Sequence, residues 1–251
     1  MTTYPLGLVL GGGGARGFAH LGVAQAMYEK GIFPDIISGV SAGAIAGAFL
    51  AAKMQPLEIF KLLKDQDFMK LSQFKWSKQG MIRLDGLKEQ MNKHIPYQNL
   101  EDLPIPLLVA VCNLNTAKVE YLSNGPLSDI IVASSSIPVL FAPAVMDNQV
   151  YVDGGVLDNL PIKPIRKICD KVIAVNISPI HDTDKLGNVF QIATRVFHVA
   201  VDKSTIKSGK QADLYIEPPG VDHFDLLKLK RADEIFHIAY AYAKELIERG
   251  F

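Results

Sequence analysis

Cysteine is scarce in this chain. Only Cys112 and Cys169 occur among 251 residues, each in an apolar stretch, and they form no C-x-x-C pair. That excludes a disulfide framework and reads as two buried, reduced thiols in a reducing compartment. Net charge is absent as well. The 26 basic residues balance 26 acidic ones, which removes any global electrostatic pull toward nucleic acid. No apolar run approaches the roughly 20 residues needed to cross a bilayer; the most apolar, Ala42 to Ala52, is short and spotted with glycine. The first residues, Met-Thr-Thr-Tyr-Pro, carry no basic segment, and the apolar run behind them breaks into glycines. They do not read as a signal peptide. The expectation is a cytoplasmic protein whose membrane contact, if any, is peripheral.

What is present is enough apolar sequence, 49%, for a large core. With no internal repeat, low-complexity tract or linker, residues 1–251 are expected to form one α/β domain. Leu6 to Leu10 is a short apolar run between Pro5 and Gly11, the pattern of a buried strand. Phe18 to Lys30 carries apolar residues at helical spacing and closes on Gly31. Pro34-Asp35 turns into a second strand, Ile36-Ile37, and Ala44 to Ala52 is helical. A β-α-β-α unit implies parallel strands covered by helices. The expected architecture is three-layer α/β/α with a mostly parallel central sheet. Further strands are expected at 105–114, 118–122, 145–146, 150–152, 171–177 and 214–217, with Asp147-Asn148 as a two-residue hairpin turn between 145–146 and 150–152. Helices are expected at 56–63, 87–94, 127–134, 161–168, 185–212 and 232–249, with residues 213–251 closing the chain as strand and helix. Residues 56–99 form a helical insertion. From Phe60 to Arg83, Phe68, Phe74, Trp76 and Met81 interleave with lysines. That stretch reads either as a lid or membrane-facing patch, or as an ordinary amphipathic insertion packed on the core, the second being favoured.

Two glycine-rich turns carry the chemistry. Gly39-Val40-Ser41-Ala42-Gly43 stands between a strand and a helix, the context in which G-x-S-x-G forms a nucleophile elbow. Gly11 to Gly17 follows the first strand. Its Gly12-x-Gly14-x-x-Gly17 spacing also fits a dinucleotide loop, but the second strand ends in the serine elbow and leaves no carboxylate for a ribose. No Gly-Lys-Ser/Thr follows at P-loop spacing. Used instead as an oxyanion hole, Gly12, Gly13 and Gly14 would converge backbone amides on one point; which two of them donate is left open. Arg16 reads either as a brace for the loop or as a contact for an anionic head group. The serine then needs a base. His20 lies inside the first helix and His94 is poorly placed, while His181, His198, His223 and His237 stand in loops or mid-helix. Asp153 is the better candidate: it ends a strand and precedes Gly154-Gly155, which leave its carboxylate uncrowded.

Gly-Gly-Gly-Ala-Arg-Gly at 12–17, Gly-Val-Ser-Ala-Gly at 39–43 and Asp-Gly-Gly at 153–155 resemble, in order and approximate distance, the motifs of the patatin-like phospholipase family. Ala133 to Pro138, Phe141-Ala142-Pro143 and Asp158-Asn159-Leu160-Pro161 look like that family's flanking blocks, so the resemblance spans about 6–165. It implies a patatin-like fold and a hydrolase of fatty-acyl esters, (lyso)phospholipids above all, with a Ser41–Asp153 dyad and no catalytic histidine. Gly12, Gly13 and Gly14 would form the oxyanion hole, supported by Arg16, Gly17, Gly39, Gly43, Gly154 and Gly155. No cofactor or metal is implied, and no clustered acidic loop suggests calcium. The expected partner is a lipid or acyl-ester substrate, not nucleic acid; oligomerisation is left open. The competing expectation is a non-catalytic lipid-binding or regulatory protein on the same scaffold.

Overall fold

The computed structural model describes residues 3–64, 82–180, 187, 189–224 and 229–250. Its elements are β1 (Tyr4–Leu10), α1 (Phe18–Glu29), β2 (Ile36–Gly39), α2 (Ala42–Ala51), α3 (Pro56–Lys64), α4 (Asp85–His94), β3 (Leu107–Asn113), β4 (Lys118–Leu122), α5 (Leu127–Ser135), β5 (Ala144–Met146), β6 (Gln149–Asp153), α6 (Lys163–Arg166), β7 (Cys169–Val175), α7 (Val189–Gly209), β8 (Leu214–Ile216) and α8 (Ala232–Glu248). Asp147 and Asn148 both take positive φ, 48° and 60°, the geometry of the tight turn expected between β5 and β6. The helix expected over 161–168 shrinks to α6. The Pro161 carbonyl accepts the Ser38 hydroxyl at 2.7 Å, which holds that residue to β2 rather than to a helical turn. The aromatic–lysine stretch that suggested a lid, Phe68 to Met81, lies outside the described residues, as does His181.

The strands alternate strictly. Leu8, Leu10, Ile37, Ile173 and Val175 enter one buried cluster, with α1, α2, α5 and α8. Val9, Ile36, Val172 and Ala174 enter a second one, with Leu160, Ile162 and Ile165. Both faces of a parallel sheet are therefore covered by apolar layers, as crossover helices require. Phe60 is buried between Phe18 and Phe236, at ring-centroid distances of 5.7 and 4.5 Å, so α3 packs on the core of α1 and α8.

Hydrogen-bonded pairing runs β8–β7–β1–β2–β3, parallel throughout. β4 joins β3 antiparallel, and the β5–β6 hairpin joins β3 through β6, also antiparallel. The register fixes which edge of β3 each neighbour takes. Val109 pairs with Gly39 of β2 and with Leu122 of β4, which must lie on opposite edges. Val111 pairs with Glu120 of β4 and with Asp153 of β6, again on opposite edges. β2 and β6 therefore share one edge of β3, end against end. The last residue of β6 and the turn that follows β2 meet there.

Candidate active site

Ser41 occupies that turn. Its backbone has φ 54° and ψ −123°, a region that a non-glycine residue avoids and that costs on the order of 1–3 kcal/mol. The surroundings hold it there. Its N–H donates to Ser134 Oγ at 2.9 Å, and Ser134 in turn donates to the Ala110 carbonyl at 2.8 Å. The flanking glycines are required by space. A Cβ on Gly43 would lie 2.1 Å from the Leu10 carbonyl oxygen, and one on Gly39 would lie 2.7 Å from the Gly43 carbonyl. The elbow is thus a crossing of two backbones that no side chain can enter.

Asp153 comes from the neighbouring strand end. Its N–H donates to the Ser136 carbonyl at 3.0 Å, and its Oδ1 accepts the Gly155 N–H at 2.8 Å. Ser134 and Ser136, both from the end of α5, therefore fix Ser41 and Asp153 respectively. Gly154 lets β6 press onto β3, since a Cβ there would meet the Ala110 carbonyl at 2.3 Å. Ser41 and Asp153 are 5% and 2% exposed. Burial raises the Asp153 carboxyl from its ordinary 3.8 to about 7, against the opposing hydrogen bonds from the Ser41 hydroxyl and the Gly155 amide. A buried carboxyl that titrates near neutrality and is hydrogen-bonded by a serine can take up a proton and release it again under ordinary conditions.

The glycine loop stands beside Ser41: a Cβ on Gly12 would be 3.4 Å from the Ser41 Cβ. Gly14 has φ +55°, and a Cβ on Gly17 would meet Ala42 Cβ at 2.9 Å. Of the three amides expected to converge, that of Gly12 is engaged, donating to the Asn159 carbonyl at 3.2 Å. Among the described residues, no acceptor takes the amides of Gly13 and Gly14. Arg16 acts as a brace. Its guanidinium donates to the carbonyls of Asp222 and Phe224, at 2.6 and 2.9 Å, tying the loop to the chain ahead of α8.

Several supporting residues were given no such role by the sequence reading. Ser134 and Asn159 lie in blocks noted only for their resemblance. His20 is fully buried and pushed down to about 4 by that burial, hence neutral, with Nε2 2.7 Å from the Gly11 carbonyl. α1 is buried on nearly every side, so helical periodicity did not single His20 out. Ser178 donates to the Gly12 carbonyl at 2.8 Å; nothing local announces it. Asp158 is held by Tyr121, whose hydroxyl donates to its carboxylate at 2.6 Å, and so anchors the turn that presents the Asn159 carbonyl. His223 and His237 are exposed. Among the described residues there is no cluster of three or more metal-ligating side chains, and no helix is long and apolar enough to cross a membrane.

Residues 8–166 match the family model for patatin-like phospholipase. A Mycobacterium tuberculosis protein described as an uncharacterised NTE-family protein is 36% identical over 176 residues, 68% of this chain and 48% of that one. Lysophospholipase NTE1 of Coccidioides immitis is 28% identical over 287 residues, covering 97% of this chain and 18% of its own. The chain spans about half the length, or less, of these curated relatives. Among solved structures, VipD from Legionella pneumophila is similar with a TM-score of 0.57 at 17% identity, over 98% of this chain and 67% of VipD, a likeness of fold.

Proposed function

The chain belongs to the patatin-like phospholipase family, and from that premise we propose that it is a serine acyl hydrolase acting on fatty-acyl esters of (lyso)phospholipids or related lipids. The observation that carries this reading is the meeting, on one edge of β3, of the strained turn that bears Ser41 and the strand end that bears the buried Asp153, where burial pushes the carboxyl up to about 7 against the hydrogen bond from the Ser41 hydroxyl. Ser41 Oγ attacks the ester carbonyl carbon while ionised Asp153 takes its proton. The negative charge that develops on the carbonyl oxygen is stabilised by the amides of Gly13 and Gly14. Protonated Asp153 then gives its proton to the departing alcohol oxygen as the carbon–oxygen bond breaks, leaving Ser41 acylated. Water attacks the acyl-enzyme, Asp153 again accepts and returns the proton, and the fatty acid leaves. Burial brings this carboxylate into the basicity range of an imidazole, and oxyanion stabilisation by the loop amides supplies a further part of the acceleration. The name of the Coccidioides relative, a lysophospholipase, supports a lipid ester as substrate.

Purified protein should hydrolyse a short-chain nitrophenyl ester and lysophosphatidylcholine, and Ser41→Ala and Asp153→Asn should each abolish both activities while leaving the circular dichroism spectrum intact. A serine-reactive fluorophosphonate should label the wild type and spare Ser41→Ala. Absence of labelling in the wild type would turn the reading toward a lipid-binding protein with a silent site.

A further inference from the structure

A dyad does not by itself aim an oxyanion donor. The polar backbone groups of the glycine loop have specific partners. The Leu10 carbonyl accepts Val40 N–H at 3.2 Å, Gly11 N–H donates to the Val175 carbonyl at 3.0 Å, and the Gly13 carbonyl accepts Arg16 N–H at 3.2 Å. His20 holds the Gly11 carbonyl, Asn159 takes the Gly12 amide, and Ser178 holds the Gly12 carbonyl. From the Leu10 carbonyl to the Gly13 carbonyl, the Gly13 N–H alone is left without an acceptor among the described residues. It belongs to the same peptide unit as the carbonyl held by Ser178.

That peptide is flanked by glycine on both sides. Glycine tolerates both signs of φ, so a peptide plane between two glycines can turn over with little steric resistance. Turned over, it would present a carbonyl oxygen where an amide is wanted and would repel a developing oxyanion. In a trans peptide the C=O and N–H point in opposite directions, so fixing one fixes the other. Ser178 Oγ donates to the Gly12 carbonyl at 2.8 Å and is itself buried. It also stands against the α-carbon of Gly13: a Cβ there would lie 2.7 Å from Ser178 Oγ and 2.7 Å from Ile177 Cγ1. Ser178 is held in turn, because its N–H donates to Asn176 Oδ1 at 3.2 Å while Asn176 Nδ2 donates to Glu217 Oε2 at 2.7 Å.

We propose that Ser178 is the positioning residue of the oxyanion hole, its hydroxyl locking the Gly12–Gly13 peptide so that the Gly13 amide faces the reacting carbonyl oxygen. The proposal rests on the reading of Ser41 and Asp153 as the catalytic pair. Removing an oxyanion donor outright typically lowers kcat about 10²- to 10³-fold; releasing its orientation should lower kcat about 10- to 100-fold. The test compares wild type, Ser178→Ala and Ser178→Thr on matched oxo- and thionoester substrates. Sulfur is a poor hydrogen-bond acceptor, so the thionoester gains little from a well-aimed amide. Ser178→Ala should lose kcat on the oxoester with little change in KM, and its oxo-to-thiono rate ratio should fall. Ser178→Thr, which keeps the hydroxyl, should stay close to wild type in that ratio. The ratio is independent of how much of the sample is folded, so a poorly folding variant still reports. An unchanged ratio in Ser178→Ala, or equal loss in Ala and Thr, would overturn the proposal. Ser41→Ala run alongside separates the two ideas. If it retains hydrolysis, the catalytic reading itself fails; if it is inert while Ser178→Ala keeps the wild-type ratio, only the positioning role fails.

Discussion

Replacing Asp153 by asparagine should abolish activity and, at neutral and alkaline pH, make the protein more stable. In the unfolded chain the carboxyl ionises at its ordinary value of 3.8, whereas in the fold it holds its proton to about 7. Below pH 3.8 both states are protonated and the residue adds no pH dependence. Between 3.8 and 7 the unfolded chain gains by ionising while the native state does not, so wild-type stability falls as pH rises. Above 7 both are ionised and the loss is complete. Each tenfold change in ionisation constant is worth about 1.4 kcal/mol, so the rise to about 7 corresponds to about 4 kcal/mol. The group is almost fully buried, which leaves little solvent screening to discount. Asparagine keeps the oxygen that accepts the Gly155 amide and offers an N–H to Ser41, at the cost of imperfect pairing, so a net gain of about 2–4 kcal/mol is expected above pH 7. Urea unfolding of both proteins from about pH 5 to about pH 9 reads this directly. The variant's advantage should grow with pH up to about 7 and then level off. A difference that is flat across that range, or a variant less stable than wild type at pH 8, would refute the argument that burial stores proton affinity in this carboxyl.

On the proposed mechanism the same ionisation sets the rate: kcat/KM should fall as pH drops below about 7, tenfold per pH unit at the acid end, because that mechanism needs ionised Asp153 to accept the Ser41 proton. Ser134→Ala removes the acceptor for Ser41 N–H and should lower kcat about tenfold, with a thermal midpoint reduced by the loss of a buried hydrogen bond worth about 1–3 kcal/mol. Ser41→Gly and Ser41→Ala should both be inactive, but glycine relaxes the positive φ and should be the more stable by about 1 kcal/mol in urea titration. Gly43→Ala would place a carbon 2.1 Å from the Leu10 carbonyl; it should destabilise the fold severely and leave little folded protein in circular dichroism.

Much of this protein is written locally. The short unbroken apolar run through Leu8, Val9 and Leu10 marked a buried strand, the glycines around Ser41 marked a sharp turn, and Asp147-Asn148 marked a hairpin. Each follows from backbone sterics or side-chain period within a few residues, which a sequence displays without its partners. The order strand, glycine loop, helix, strand, elbow was enough to bring Gly12 beside Ser41, because parallel strands place their carboxyl ends together. What the tertiary structure decided lies in contacts between distant residues. Only the register of β3 shows that β2 and β6 share an edge, so that Asp153 stands at the turn carrying Ser41. Ser134 reaches Ser41 across 93 residues and Ser178 reaches Gly12 across 166; neither serine differs locally from any other. The chain alone presented three glycine amides as equals. Among the described residues the fold gives the Gly12 amide an acceptor, the Asn159 carbonyl, and gives none to Gly13 and Gly14, since the direction of a backbone amide depends on what holds the carbonyl of the same peptide. Nor did composition mark Asp153 as a group that holds its proton to neutrality. That property comes from desolvation, which exists only once β6 has been folded into the sheet.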